Sequence, residues 1–460
     1  MRVVAVWAVL FAAYAATLGV DAVGPRDFAA DEPRHLLAAE SIVSDRDVDL
    51  ADEFASRAYA GFHPQTLRPQ GRVVLGRRLE PQGFGFALLI APAYALGGAQ
   101  GVELFLAAVA ALGFALAALL ARRIVPEPWA SGAALLVGLS PPALAHSTSV
   151  YPDLMAGAIL TGAALAAIRV RERADLRSAV AGATLLALLP WLGPKYLLPA
   201  APVAVALVRW TAQRCRRTAA LAAAEIMVAS LVVYVTLNDR LYGGFTPSAV
   251  AASGAPATGA TSLSDYLERI PRLAALWIDR DVGLLRWAPV LGMSGFAAWL
   301  LWRSRREHVA RVAAERADAE LAAGLALLVC AGVVAVAAFA APSLAGEWFP
   351  ARHLAAGLPM AAALAAWGLR HAPRTGAVLG ALTLLGSLWL VLALAFGSAG
   401  GWVHPGVDAP YGPAVELLPR AGTGSLWFAI AAAVPAAALA ALVAREWWRA
   451  AKPPKGVRPL

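Results

Sequence analysis

The chain has 460 residues, 60% of them apolar, with a mean hydropathy of +0.63, which excludes an ordinary water-soluble domain. Its net charge of +9 could indicate nucleic-acid binding, but the basic residues cluster in short loops between apolar runs, as in membrane proteins. We therefore predict a single all-α integral membrane domain over residues 1–460, with membrane lipids and no nucleic acid among its partners.

The first apolar run covers residues 3–20 and follows Met1-Arg2, an arrangement that also fits a signal peptide. It has no convincing small-residue cleavage site and is long enough to cross a bilayer. We predict an uncleaved first membrane helix.

Segment 83–98 decides the topology, because every later basic loop changes sides if this segment spans. If it does not, the basic loops all lie on one face, which favours about twelve spans with cytoplasmic termini and a re-entrant or interfacial helix at 83–98. The predicted spans are 3–20, 101–121, 129–145, 153–168, 177–193, 195–210, 218–237, 285–302, 319–341, 353–370, 374–397 and 425–444.

This topology predicts a multi-pass protein of the cytoplasmic (inner) membrane with its unusual polar residues outside. The first extracytoplasmic loop is 21–100, with interfacial helices, and the second large one is 238–284. Shorter outer stretches are predicted at 342–352 and 398–424. We expect the active site on this extracytoplasmic side.

An acidic pair, Asp31-Glu32, lies just beyond the first span. Carboxylates at a membrane boundary are costly to place, so they indicate a functional site. Asp31 also fits the N-cap of a helix from about Pro33 to Ser44, and the two roles are compatible. Glu32 is a candidate for orienting substrate or for joining a metal site.

Further charged residues are predicted on the same face. Asp153 follows a turn and is either a helix cap or a second functional carboxylate. Lys195 between two spans and Arg352 before a later span are either phosphate ligands or snorkelling side chains. Arg286 is a third cation, although its neighbour Trp287 fits an interfacial anchor.

Several motifs resemble the GT-C superfamily of polytopic glycosyltransferases, including its protein mannosyltransferase and aminoarabinose transferase branches. The segment Asp31-Glu32-Pro33-Arg34-His35 resembles the acidic motif in the first loop of these enzymes. The segment Pro194-Lys195-Tyr196 resembles their basic position after a later helix. The segment Glu347-Trp348-Phe349-Pro350-Ala351-Arg352-His353 resembles a later arginine motif. Stretches 242–248 and 281–289 look like loop signatures of uncharacterised bacterial members. Relatives often carry a proline-rich segment where this chain has Glu80-Pro81-Gln82-Gly83.

The resemblance implies a GT-C-like enzyme that moves a sugar from a polyprenyl phosphate carrier to a lipid, glycan or protein acceptor, with inversion. Asp31 would be the base. Asp153 would be an orienting or metal-linked carboxylate. The expected catalytic residues are Asp31, Glu32 and Asp153, and the expected phosphate- and substrate-binding residues are Lys195, Tyr196, Arg352 and Arg286.

Metal dependence stays open at this stage, with a divalent cation as one option. Asp31 and Asp153 could bind such a cation through oxygen ligands. The histidines at positions 35, 63 and 146 show no tight ligand spacing.

An acidic run also follows the predicted helix after Pro33. It lacks EF-hand spacing, so a solvated helix end is favoured over a calcium site. Its members are Asp45, Asp47, Asp49, Asp52 and Glu53.

Two other functions fit a polytopic protein with buried charges. One is a transporter or flippase of a lipid-linked sugar, and the other is a non-catalytic relative that binds a lipid-linked glycan and scaffolds a cell-envelope assembly. Transporters often carry repeated halves and midplane binding sites. No convincing internal repeat is visible, and the polar residues gather at one face, which favours the enzyme.

Overall fold

The computed structural model describes residues 3–20, 27–254, 256–308, 314–396, 400–403, 415–416, 418–420 and 426–451. Within these ranges most residues are helical, which confirms the all-α class. They also include a two-stranded hairpin, β1 (Val73–Val74) antiparallel to β2 (Arg77–Arg78). Most of the predicted outer stretch 398–424 lies outside the described residues.

The α-helices follow one another in chain order. They are α1 Val3–Ala15, α2 Glu32–Ser44, α3 Ala51–Ser56, α4 Gly85–Ala121, α5 Trp129–Gly138, α6 Pro141–Thr148, α7 Asp153–Arg173, α8 Leu176–Leu192, α9 Leu197–Arg214, α10 Arg217–Tyr242, α11 Leu263–Leu267, α12 Arg272–Ile278, α13 Leu284–Trp287, α14 Gly292–His308, α15 Ala314–Ala335, α16 Leu358–His371, α17 Pro373–Ala395 and α18 Leu426–Ala451. Two short 3₁₀ turns, Pro194–Tyr196 and Arg352–Gly357, come directly before α9 and α16.

Five helices of the described chain are long and apolar enough to cross a membrane, namely α4, α7, α10, α15 with its π-helical continuation, and α17. The protein is therefore a multi-pass membrane protein, whereas the count of about twelve spans stays a prediction. Proline explains part of the difference. The predicted span 129–145 is two helices, because Pro141 and Pro142 start α6 where they would interrupt a continuous helix.

Helix α4 is broken at Gly97-Gly98, where Gly98 has φ 59° and ψ −147°. This backbone conformation is accessible essentially to glycine alone. The chain reverses there so closely that a Cβ on Gly101 would lie 2.3 Å from the carbonyl oxygen of Ala93. Residues 85–96 form a helix about 18 Å long, which is too short to cross a bilayer, and the re-entrant or interfacial placement of 83–98 stays a prediction.

The helices pack through small residues, as membrane helices commonly do. Gly157 on α7 is one such contact, since a Cβ there would lie 2.7 Å from the carbonyl oxygen of Ala356. Ala356 belongs to the 3₁₀ turn Arg352–Gly357, so this close approach seats the turn against the first part of α7. The contact brings Arg352 to Asp153. Residues 21–100 carry α2, α3 and the hairpin, 238–284 carry α11 and α12, and their assignment as outer loops stays a prediction.

Candidate active site

Asp31 stands at the N-cap position of α2, but its side chain makes no capping hydrogen bond. Its Oδ1 instead accepts a 2.8 Å hydrogen bond from Nε2 of Gln82, and its Oδ2 lies 3.6 Å from Nη2 of Arg352. About a third of the side chain (30%) is exposed. The carboxylate is thus aimed at a charged neighbour and at solvent rather than at its own helix.

Glu32 makes different contacts from those of Asp31. Its side chain is buried, Oε2 accepts from the backbone N–H of Ala29 (3.2 Å), and Oε1 accepts from that of Val150 (2.8 Å). These bonds join the start of α2 to the turn before α7. Glu32 therefore connects two segments of the site.

Asp153 lies in the first turn of α7 and is only 4% exposed. Its Oδ1 accepts hydrogen bonds from Nζ of Lys195 (2.6 Å) and from the hydroxyl of Tyr196 (2.7 Å). Its Oδ2 lies 3.6 Å from Nε of Arg352. A buried carboxylate is tolerated when it is paired in this way, so Asp153 anchors two cations.

Arg352 connects the two acidic residues, because it lies within ion-pair distance of both Asp31 and Asp153. Its guanidinium carbon stands 3.5 Å from the ring centroid of Tyr151 and 4.8 Å from that of Trp348. Separations of 3.6 Å are too long for hydrogen bonds, and Nε of Arg352 has no acceptor among the described residues. This buried cation therefore keeps donor capacity for an anion. We call Asp31, Asp153, Lys195 and Arg352 the charged cluster.

Two alanines that immediately precede members of the charged cluster have left-handed backbones, Ala30 with φ 52° and Ala351 with φ 66°. This conformation costs a non-glycine residue about 1–2 kcal/mol. Such strain persists only where surrounding contacts hold it, and it concentrates at functional sites. Here it turns the chain just before Asp31 and just before Arg352.

The electrostatics of Asp31 are dominated by its cationic neighbours. Burial alone would raise the pKa of this carboxyl, but the charge of Arg352, together with His35 and the hydrogen bond from Gln82, holds the pKa below its ordinary value. Asp31 is therefore ionised at neutral pH. Any ligand that drew Arg352 away would raise the pKa of Asp31 again.

His35 lies on α2 behind the charged cluster, fully buried, with Nδ1 lacking a partner among the described residues. Burial lowers the pKa of His35 to about 4, and Arg352 and Lys195 act in the same direction, whereas Asp31 and Asp153 oppose them. The unfolded chain takes up this proton near pH 6.5 and the folded chain only near pH 4. Stability should therefore fall as the pH is lowered through that window.

We expect the His35→Gln variant to lose this acid sensitivity, because glutamine does not titrate. Between pH 7 and pH 5 the wild type should lose about 2 kcal/mol more unfolding free energy than the variant. Unfolding measured at both pH values checks this. His63→Gln is the matched control, because the His63 ring binds the carbonyl of Phe28 outside the charged cluster. Equal pH slopes for the wild type and His35→Gln would contradict the expectation.

The structure thus brings together most of the residues that the sequence singled out, although not all of them. Arg286 donates instead to the carbonyl of Arg280 and lies 4.8 Å from the Trp287 ring centroid. His146 is buried against the later arginine motif, with Nε2 3.4 Å from the carbonyl oxygen of Pro350. The charged neighbours of Asp153 among the described residues are Lys195 and Arg352.

Three further residues belong to the site but were not predicted, namely Gln82, Tyr151 and Trp348. Gln82 lies in Glu80-Pro81-Gln82-Gly83, where the flanking Pro81 and Gly83 indicated only a loop. In the sequence, Tyr151 lies in the predicted turn before Asp153, and Trp348 lies in the later arginine motif. Sequence spacing does not reveal that a ring will lie over a guanidinium.

A cavity of about 120 Å³ adjoins Gln82. Its wall is formed by residues 81–85, the turn between α8 and α9, part of α10, and residues 246–248 from one of the predicted loop signatures. The cavity therefore joins the first polar loop, the Lys195 turn and the second polar loop at one end of the bundle.

No protein-family model matches the chain, and neither does any curated protein sequence. Among solved structures, ArnT from Cupriavidus metallidurans bound to undecaprenyl phosphate is similar with a TM-score of 0.51 at 13% identity, over 97% of this chain and 72% of that one. The fold of the chain is GT-C-like. ArnT in the apo state matches with a TM-score of 0.46 at 14% identity, over 85% and 69% of the two chains.

The GT-C-like fold was predicted from the order and common face of weak motifs, and that prediction is confirmed. Identity of 13% carries the fold and not the chemistry.

Proposed function

We propose that the protein is a membrane glycosyltransferase that moves a sugar from a polyprenyl phosphate carrier to an acceptor on the outer side of the cytoplasmic membrane. The observation that carries this proposal is the charged cluster, in which the accessible carboxylate of Asp31 adjoins Arg352, and the buried carboxylate of Asp153 holds both Arg352 and Lys195. The GT-C-like fold supports it, as does the undecaprenyl phosphate bound to the similar ArnT structure.

Asp31 is the proposed general base. Of the two carboxylates only Asp31 is accessible, with 30% of its side chain exposed against 4% for Asp153. Asp31 would take the proton of the acceptor hydroxyl while that oxygen forms a bond to the anomeric carbon. The bond from this carbon to the phosphate oxygen breaks, and polyprenyl phosphate leaves. A single displacement of this kind inverts the anomeric centre.

Lys195 and Arg352 are the proposed ligands of the phosphate. Arg352 has unused donor capacity, and Lys195 is 31% exposed, so an anion that reaches Lys195 from solvent would also be attracted by the charge of Arg352. A phosphate that shared the charge of Arg352 would also relieve the effect that lowers the pKa of Asp31. Donor binding would thus make Asp31 a better base for the acceptor.

Asp153 is proposed to position the site rather than to react. Oδ1 of its carboxylate accepts from Lys195 and Tyr196, and Oδ2 is buried beside Nε of Arg352, so an acceptor does not reach this carboxylate from solvent. Glu32 would act in the same way through the backbone. The acceptor is proposed to approach through the cavity beside Gln82.

The function is tested with purified protein in lipid nanodiscs and a panel of polyprenyl phosphate sugars carrying a radiolabel. Release of polyprenyl phosphate together with transfer of the label to an acceptor supports the enzyme. A transporter or flippase would instead move the intact donor across a sealed vesicle without releasing polyprenyl phosphate. Flipping without release from any donor would overturn the proposal.

The Lys195→Gln variant should bind polyprenyl phosphate about 10- to 100-fold more weakly, because one charge-assisted bond worth roughly 1.5–3 kcal/mol is lost. Binding of polyprenyl phosphate in nanodiscs measures this directly. Arg286→Gln is the matched control, since it removes a cation from the same predicted face outside the charged cluster. An unchanged dissociation constant for Lys195→Gln would remove Lys195 from the phosphate site.

A further inference from the structure

Three acidic side chains converge where α2 ends and α3 begins, away from the charged cluster. Asp45 follows the last residue of α2, and Asp52 and Glu53 lie in the first turn of α3. One carboxylate oxygen from each lies within 4.8 Å of the other two. Two oxygen ligands on opposite sides of a calcium ion, each 2.3–2.6 Å from it, would be about 5 Å apart. The spacing therefore fits one shared cation.

The burial of the Glu53 carboxylate is the observation that points to a ligand. Its side chain is only 4% exposed, and neither carboxylate oxygen has a hydrogen-bond partner among the described residues. A buried charged group without partners is strongly unfavourable, and buried polar atoms in native proteins are nearly always satisfied. Within the described part of the chain, no lysine or arginine forms an ion pair with Asp45, Asp52 or Glu53. A cation from outside the chain would supply a partner for both oxygens of Glu53.

The other two acidic residues of the run are already satisfied. Oδ1 of Asp47 accepts from the hydroxyl of Ser41 (3.1 Å), and Oδ1 of Asp49 accepts from the backbone N–H groups of Ala51 and Arg78. These bonds fold the connection between α2 and α3 and leave three carboxylates facing one another. This selection could not be seen in the sequence, where all five acidic residues look alike.

Access to the three carboxylates is open, because Asp45 and Asp52 are exposed while Glu53 closes the buried side. A cation could therefore enter from solvent, keep several waters, and neutralise the buried carboxylate. Carboxylate oxygens with water are the ligands that calcium and magnesium prefer.

We propose that Asp45, Asp52 and Glu53 bind a divalent cation of the calcium class that fastens the end of α2 to the start of α3. The arrangement is not an EF-hand, since its ligands come from two helix ends. It is separate from the charged cluster and does not depend on the proposed transferase activity. Because Asp31 precedes α2, the cation would stabilise the loop that carries the proposed base.

Isothermal titration of CaCl₂ into the full-length protein, in nanodiscs of zwitterionic lipid, tests the site. We expect saturable binding by the wild type, and at least tenfold weaker binding by Glu53→Gln and by Asp45→Asn. Asp45 is exposed, so its variant should fold even if Glu53→Gln does not. Added CaCl₂ should raise the Tm of the wild type, and EDTA should reverse the shift.

Two controls separate this site from others. Glu40→Gln removes an acidic residue of α2 outside the cluster, and Asp31→Asn removes the proposed base; both should bind calcium as the wild type does. A parallel titration with MgCl₂ identifies the preferred ion, and magnesium binding that depends on Glu53 supports the same site. No binding by the wild type, or binding lost in Asp31→Asn but kept in Asp45→Asn, would overturn the proposal.

Discussion

Replacement of Asp31 by asparagine is expected to lower sugar transfer by about 10²- to 10⁴-fold while polyprenyl phosphate still binds. Asparagine keeps the size of the side chain but cannot accept the proton of the acceptor hydroxyl. The donor should remain bound because Lys195 and Arg352 are proposed to hold the phosphate. Loss of the Asp31 charge beside Arg352 could even tighten that binding. The measurement is single-turnover transfer of radiolabelled sugar, with donor binding determined in the same nanodiscs.

Asp27→Asn is the matched control for this experiment. Asp27 precedes Asp31 in the same loop, but its carboxylate lies 3.3 Å from the His63 ring instead of facing the charged cluster. Its loss should leave turnover close to that of the wild type. Unchanged turnover in Asp31→Asn would exclude Asp31 as the base. Loss of donor binding together with turnover would instead assign Asp31 to the donor site.

The sequence predicted which residues share one end of the helix bundle. Asp31, Asp153, Lys195 and Arg352 are more than 40 residues apart from one another along the chain, yet each lies at the same kind of boundary between an apolar run and a polar turn. Charged residues at membrane boundaries are costly, and that cost makes them visible in a single sequence. The structure places these four side chains in one network of ion pairs.

The sequence could not predict that Asp31 and Glu32 have different roles. Asp31 and Glu32 are adjacent, and either could have faced the site. Their roles depend on which side of α2 faces Val150 and which faces Gln82, and those partners lie 118 and 51 positions away. Contacts at such separations follow from helix packing, which hydropathy does not encode.

Helix breaks show a similar limit. Gly97-Gly98 and Pro141-Pro142 are visible as breakers in the sequence, and the helices do end there. The hydropathy pattern nevertheless runs through residues 129–145 as if they formed one span. Hydropathy reports immersion in lipid and not backbone continuity. A span count from apolar runs therefore does not equal the number of continuous long helices.

The second large effect is expected for Asp153→Asn, which should lower the free energy of unfolding by roughly 3 kcal/mol. Lys195 and Arg352 would lose the buried negative charge that both face, and their repulsion would no longer be offset. This change in unfolding free energy is at the low end of the range for a broken buried ion pair, because Lys195 is 31% exposed. Unfolding in detergent, compared between wild type and variant, measures the effect, and transfer should fall with it.

A double variant decides whether charge is the cause. Lys195→Met removes the cation closest to Asp153 and keeps an apolar stem of similar length. If the loss in Asp153→Asn comes from unpaired buried cations, the Asp153→Asn/Lys195→Met variant should be more stable than Asp153→Asn alone, giving a non-additive cycle. Additive losses would mean that Asp153 stabilises the protein through packing or through Tyr196, and Tyr196→Phe would then account for the difference. In either case, a measurement of polyprenyl phosphate binding distinguishes a loss of stability from a loss of function. Only the variants that lack Lys195 should lose the direct contact between Lys195 and the phosphate.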